Sequence, residues 1–277
     1  MKKHFFIAGL LYLLSPIAAQ AAKVDTLQTY STAMKKNIKA VVVLPDSYDQ
    51  KKSYPSVYLL HGYDDSYNGW VNYVPDVKKY ADEFQMILIC PDGNLSSWYF
   101  DSPVDPKWKY ETYVSLELPV QIDARYKTIK DRKARAITGL SMGGHGALYL
   151  AFKHQEVYGA AGSMSGGVDI TPFPGKWDIE KRLGSYAEYP ERWKANSVLN
   201  MTQLLVPNQL SLIIDCGKDD FFLAVNKKLH ESLDDHNIPH DFTIRPGAHN
   251  FDYWKNAVAY QLLYFRKFFD KQTSPLQ

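Results

Sequence analysis

The chain has 277 residues, 45% of them hydrophobic and 22% charged, which supplies a core for a sizeable domain and excludes a disordered or fibrous protein. Lys and Arg total 32 against 30 Asp and Glu, a formal net charge of +2, and no basic run is long enough to leave a nucleic-acid footprint.

The first segment, "MKKHFFIAGLLYLLSPIAAQAAK", opens with Lys2 and Lys3 and runs apolar from Phe5 to Leu14. It closes on small residues, with Ala19-Gln20-Ala21 as a cleavage site. That layout is a secretory signal peptide over residues 1–22, with residues 23–277 as the domain that remains. The apolar run is too short for a span of roughly 20 residues, and no later segment is longer. The expected address is therefore periplasmic or secreted, with no membrane attachment after signal removal.

From residue 39 the chain alternates. Seven short apolar runs, at 39–45, 55–62, 85–93, 133–141, 158–166, 209–217 and 240–247, read as strands, and most end in Gly, Pro or Asp. Between several of them lie segments of helical period: "VPDVKKYADEF", "YVSLELPVQIDARY", "GHGALYLAFKH", "FFLAVNKKLHESLDD" and "FDYWKNAVAYQLLYFRKFF". Such alternation predicts a mostly parallel sheet covered by helices on both faces. About 168–207, with "TPFPGKW" and "YPERWKANS", the rhythm breaks, and this stretch reads as a small insertion above the sheet.

Ligands of such sheets bind beyond the carboxyl ends of the strands, so chemistry is sought just after each one. After the fourth run stands Gly139-Leu140-Ser141-Met142-Gly143, a G-x-S-x-G that ends a strand and opens a helix. A turn this sharp crowds the backbone on either side, and only glycine fits two positions before and after its centre. It exposes the hydroxyl of Ser141 at a helix N-terminus, as a nucleophile requires. Ser needs an imidazole partner, and of eight histidines only His249 directly follows a strand at the correct end. His61 reads better as support for the loop after the second run than as a base. The acid that orients His249 belongs between the two, and Asp219 and Asp220 both lie on the loop after "LSLIID". Spacing alone does not separate them. Backbone N–H groups of Met142, next to the serine, and of Tyr63, in "YLLHGYDDSYNGW", are the expected oxyanion donors. The histidines and two cysteines show no ligand spacing, so no metal and no cofactor is expected.

"SVYLLHGY", "ITGLSMGGHGAL", "IDCGKDDFF" and "GAHNFDYW", in this order over nearly the whole domain, resemble the esterase D family of α/β-hydrolases. That family includes S-formylglutathione hydrolases, tributyrin-type esterases, a mycolyltransferase branch, and the feruloyl and acetylxylan esterases of carbohydrate esterase family 1. The resemblance implies the α/β-hydrolase fold with a mostly parallel eight-stranded sheet. Its G-x-x-D pattern, counted from Gly217, implies that the acid is Asp220, and its G-x-H pattern falls on His249. It implies a serine carboxylesterase, which the signal peptide makes an exported one, and we expect acyl esters of plant polysaccharide, feruloyl or acetyl, as substrate. A transferase passing the acyl group to a sugar hydroxyl, or an idle carbohydrate-binding relative, are the alternatives. Trp98, in "WYFDSP", is the expected substrate contact, with Trp70, Tyr99 and the aromatics of the insertion as further candidates for stacking on a ring. The resemblance also implies the sheet order 1-2-4-3-5-6-7-8, which puts Cys90 and Cys216 four strand spacings, about 19 Å, apart. A disulfide needs Cα atoms within about 4.4–6.8 Å. Two free, buried thiols are expected.

Overall fold

The computed structural model describes residues 22–273. The expected leader, except for Ala22, lies outside the described residues. Among the described residues no helix is long and apolar enough to cross a membrane. In chain order the elements are β1 (Lys23–Ser31), β2 (Lys36–Leu44), β3 (Ser56–Leu60), α1 (Gly69–Tyr73), α2 (Val77–Glu83) and β4 (Ile87–Pro91). Then come α3 (Tyr110–Thr112), a π-helical turn (Tyr113–Glu117), α4 (Leu118–Arg125), β5 (Arg135–Gly139), α5 (Met142–Lys153) and β6 (Ala160–Met164). The last third holds α6 (Ile179–Leu183), α7 (Pro190–Ala195), a 3-10 turn (Val198–Leu204), β7 (Ser211–Gly217), α8 (Leu223–Asp235), β8 (His240–Arg245) and α9 (Phe251–Thr273).

The strands form one sheet in the order β1-β2-β4-β3-β5-β6-β7-β8. The first two are antiparallel to their neighbours, and β4 through β8 are parallel. All seven strand runs appear within two or three residues of their expected bounds. β1 was not expected as a strand. It alternates, but two of its inward positions are Thr29 and Ser31, both buried, so the apolar period is weak.

Strands β3 to β6 are buried along their whole length, which explains their near-continuous apolar sequence. The pleat divides the core. Tyr58 and Leu60 of β3 face the cluster that holds Ile122 of α4, Leu148 of α5 and Leu229 of α8. Val57 and Leu59 face the opposite cluster, with Val77 of α2 and Trp254, Val258 and Leu262 of α9. The insertion is no loose flap: Val168, Ile170, Ile179, Leu183 and Trp193 are fully buried in the first cluster. Because β3, β5, β7 and β8 run parallel, the segments after them all emerge at one end of the sheet. That is where the expected site residues stand.

Candidate active site

Ser141 joins β5 to α5 with φ 54° and ψ −117°, a strained conformation for a residue with a side chain. The glycines make room for it. A Cβ on Gly143 would lie 2.3 Å from the Leu60 carbonyl oxygen and 2.6 Å from that of His61. The elbow therefore presses against the end of β3 with only backbone in between. The Ser141 carbonyl accepts the His145 N–H at 3.0 Å, which starts the helix and leaves the Ser141 hydroxyl free to point outward.

Ser141 follows β5 and His249 follows β8, three strand spacings or roughly 14 Å away along the sheet. Two turns close the gap. A Cβ on Gly217 would lie 2.4 Å from the Gly247 carbonyl oxygen, so the turns after β7 and β8 are in backbone contact. The Asp219 N–H donates to that same carbonyl at 2.9 Å and the Lys218 N–H to Arg245 at 2.7 Å. Across this joint the His249 imidazole meets both partners. Its Nδ1–H donates to Asp220 Oδ2 at 2.9 Å, with Oδ1 at 3.1 Å. The Ser141 hydroxyl donates to Nε2 at 2.9 Å. The Asp220 carboxylate is buried, and its Oδ1 also accepts the Phe222 N–H at 2.8 Å. Asp219 is exposed, and what it contributes is its main chain. Rings hold the imidazole on three sides: Phe221 at 4.2 Å, Trp254 at 4.9 Å and Phe222 at 5.3 Å between centroids.

Met142 is the first residue of α5, so its N–H is one of the donors a helix leaves unpaired at its start. Tyr63 lines the space above Ser141 together with Gly62 and Leu140. The loop that carries Tyr63 is anchored by His61, whose buried ring donates from Nδ1 to the Gly62 carbonyl at 2.8 Å. Its Nε2 accepts the Gly93 N–H, also at 2.8 Å. Burial holds the His61 pKa below the usual imidazole range. A neutral ring is what the Nε2 bond requires, and His61 is a brace rather than a base.

The space above Ser141 is a cleft of about 290 Å³ with aromatic walls: Tyr63, Tyr73, Trp177, Phe221, Phe251 and Trp254. Trp177 and Phe221 are nearly parallel, 15° apart with centroids 5.9 Å apart. Trp98, expected to touch substrate, instead lies below this surface. It is 1% exposed, its indole N–H donates to the Trp177 carbonyl at 3.0 Å, and its ring packs edge-on to buried His145. It supports the residue that faces the cleft. Trp70 and Tyr99 are also buried and do not line the cleft. Trp177 comes from the insertion, in the run "TPFPGKW", and no local pattern in that run marks one ring as facing the cleft. A second hollow of about 450 Å³, between Lys36, Lys39, Tyr67, Asp92 and Tyr110, shares only Asp65 with the cleft and contains neither Ser141 nor His249.

Comparison with known proteins finds similarity to esterases and related acyl-transfer enzymes over most of the chain. The family model described as "Putative esterase" matches residues 31–265. A diacylglycerol acyltransferase/mycolyltransferase, Ag85A of Mycobacterium gordonae, is 29% identical over 85% of this chain and 78% of its own. The S-formylglutathione hydrolase of Mus musculus is 25% identical over 86% and 91%. Among solved structures, a ferulic acid esterase superposes with a TM-score of 0.78 at 29% identity, covering 90% of this chain and 98% of its own.

Proposed function

The chain belongs to the esterase family and is a carboxylic ester hydrolase of the α/β-hydrolase fold, and we propose that Ser141, His249 and Asp220 are its catalytic triad. His249 Nε2 takes the hydroxyl proton as Ser141 Oγ attacks the ester carbonyl carbon. The carbonyl oxygen becomes an oxyanion, bound by the N–H groups of Met142 and Tyr63. The carbonyl re-forms, the C–O bond to the alcohol breaks, and the imidazolium returns its proton to the leaving alkoxide. Water then repeats the cycle on the acyl-enzyme: His249 removes its proton, the acid leaves, and Ser141 is restored. Asp220 holds the tautomer with the proton on Nδ1 and stabilises the imidazolium.

We propose an aromatic acyl group, of the hydroxycinnamoyl type carried by plant polysaccharides, on an enzyme exported by its leader. One observation carries this reading: Ser141 and His249 open into a cleft lined by six aromatic side chains beside Asp64 and Asp65, with Trp177 and Phe221 presented side by side. Such walls favour a flat ring over a short alkyl chain. The ferulic acid esterase among the similar structures supports it. The test is a panel of methyl ferulate, 4-nitrophenyl acetate, 4-nitrophenyl butyrate and acetylated xylan. A higher kcat/KM for the ferulate ester, abolished in a folded Ser141→Ala variant, is expected. A preference for acetate would overturn the acyl assignment and leave the nucleophile standing. The similarity to an acyltransferase favours a second reading, acyl transfer to a sugar hydroxyl, and product analysis in the presence of free sugar separates the two.

A further inference from the structure

Far from the cleft, at the opposite end of β8, His240 begins the edge strand and faces His230 of α8. His230 Nδ1 and His240 Nε2 are 2.8 Å apart. Neither ring is free to turn. His240 Nδ1 lies 2.8 Å from the Ile238 carbonyl, which can only accept, so the proton of a neutral His240 is on Nδ1 and a lone pair on Nε2 points at His230. The His230 ring is stacked on Phe242, 4.5 Å between centroids and 17° from parallel, and its far nitrogen, Nε2, faces the Asp234 carboxylate at 3.6 Å. When the His230 proton sits on Nε2, toward Asp234, a second lone pair points into the same gap. Two converging lone pairs repel unless something positive lies between them. A proton on His230 Nδ1 is one solution; a metal cation is the other.

We propose that His230 Nδ1 and His240 Nε2 are ligands of a divalent transition-metal ion with affinity for imidazole, zinc being the probe. The far nitrogen of His240 already donates to the backbone carbonyl such ligands use, and that of His230 has a carboxylate 3.6 Å away. One ligand atom from each of His230, Asp234 and His240 lies within 4.8 Å of the other two. The rings stand partly exposed, so water completes the coordination sphere. Imidazole nitrogen selects zinc, copper or nickel over calcium and magnesium. Tetrahedral zinc holds two such nitrogens roughly 3.3 Å apart at bond lengths of about 2.0–2.1 Å, so the pair must spread by about half an ångström. The sequence alone did not suggest this, because one ligand is on a helix and the other starts a strand.

The place gives the site a structural task. α8 follows the Asp220 turn and β8 leads into the His249 turn, so an ion bridging them clamps the unit that presents acid and base to Ser141. β8 is the edge strand, without a fully buried position, where a clamp has most to add.

The experiment is calorimetric titration of the purified protein with ZnCl2 at pH 7.5, with CaCl2 as control, beside thermal unfolding with and without zinc. One saturable zinc site and a zinc-dependent rise in Tm are expected for wild type and for His249→Ala. His230→Gln and His240→Gln should each bind at least about tenfold more weakly, lose the Tm response, and hydrolyse ester at the metal-free wild-type rate. Wild type without saturable binding, or both glutamine variants binding as wild type does, would overturn the proposal. Loss of binding in His249→Ala would do so as well, by placing the ion in the cleft.

Discussion

Two adjacent carboxylates follow β7, and their environments differ in the way their chemistry demands. Asp220 turns inward, buried, with its oxygens on His249 and on the Phe222 N–H, while Asp219 faces solvent. Asp220→Asn should lower kcat by about 10³–10⁴, since an amide that presents its NH2 to Nδ1 favours the wrong imidazole tautomer. Asp219→Asn keeps its backbone bond to Gly247 and should stay within about threefold of wild type. Steady-state kinetics of the two variants, with circular dichroism to confirm folding, check the contrast. The reverse ordering would remove Asp220 from the relay. A different carboxylate matters for stability. Asp215 of β7 is fully buried, accepts from Tyr253 at 2.9 Å and Gln261 at 2.8 Å, and burial still pushes its pKa up to about 6. Its folded pKa thus lies above the unfolded value near 3.9, so its contribution is complete below about pH 4 and declines as pH rises through 6. Relative to Asp215→Asn, wild type should therefore lose on the order of 3 kcal/mol between pH 4 and 7, read from urea unfolding at several pH values. A difference independent of pH would show that folding does not raise the Asp215 pKa.

At the scale of elements, what could be read from the chain depended on whether the signal was local. The elbow was legible because its geometry tolerates only glycine at 139 and 143, a requirement written in five consecutive residues. The histidine was legible from its position after a strand. The choice of Asp220 over Asp219 was not, since adjacent loop residues differ only in direction; it came from family resemblance. Strand β1 was missed because its inward Thr29 and Ser31 hide the period. Trp98 was named from its place in "WYFDSP" and Trp177 was left among the aromatics of the insertion, because only packing tells which ring lies on top. The insertion, with its buried Ile179, Leu183 and Trp193, is the element that delivers Trp177, so it should govern acyl choice. Trp177→Ala is expected to lower kcat/KM for methyl ferulate by about tenfold, near 1.4 kcal/mol, while 4-nitrophenyl acetate changes less than about twofold. Equal losses on both esters would mean that the ring only keeps the cleft in shape.

For the whole molecule, the sheet order is the controlling fact. It keeps Cys90 on β4 and Cys216 on β7 with three strands between them, and both thiols are free and buried. Burial raises the pKa of each thiol well above its ordinary value, so neither is a ready nucleophile. Alkylation of the unreduced, denatured protein should give two modified cysteines by mass spectrometry; a bridged product would contradict the sheet order. The same order sets the distance between Ser141, at residue 141 of the chain, and the two groups proposed to activate it, at 220 and 249. Synthesis runs from the N-terminus, so the ribosome completes the elbow more than a hundred residues before it supplies the imidazole. Every nascent chain between 141 and 248 residues long carries this serine without the imidazole proposed to take its proton. The proposed triad is armed last: no nascent chain holds all three members until the final strand and the turn beyond it have been translated.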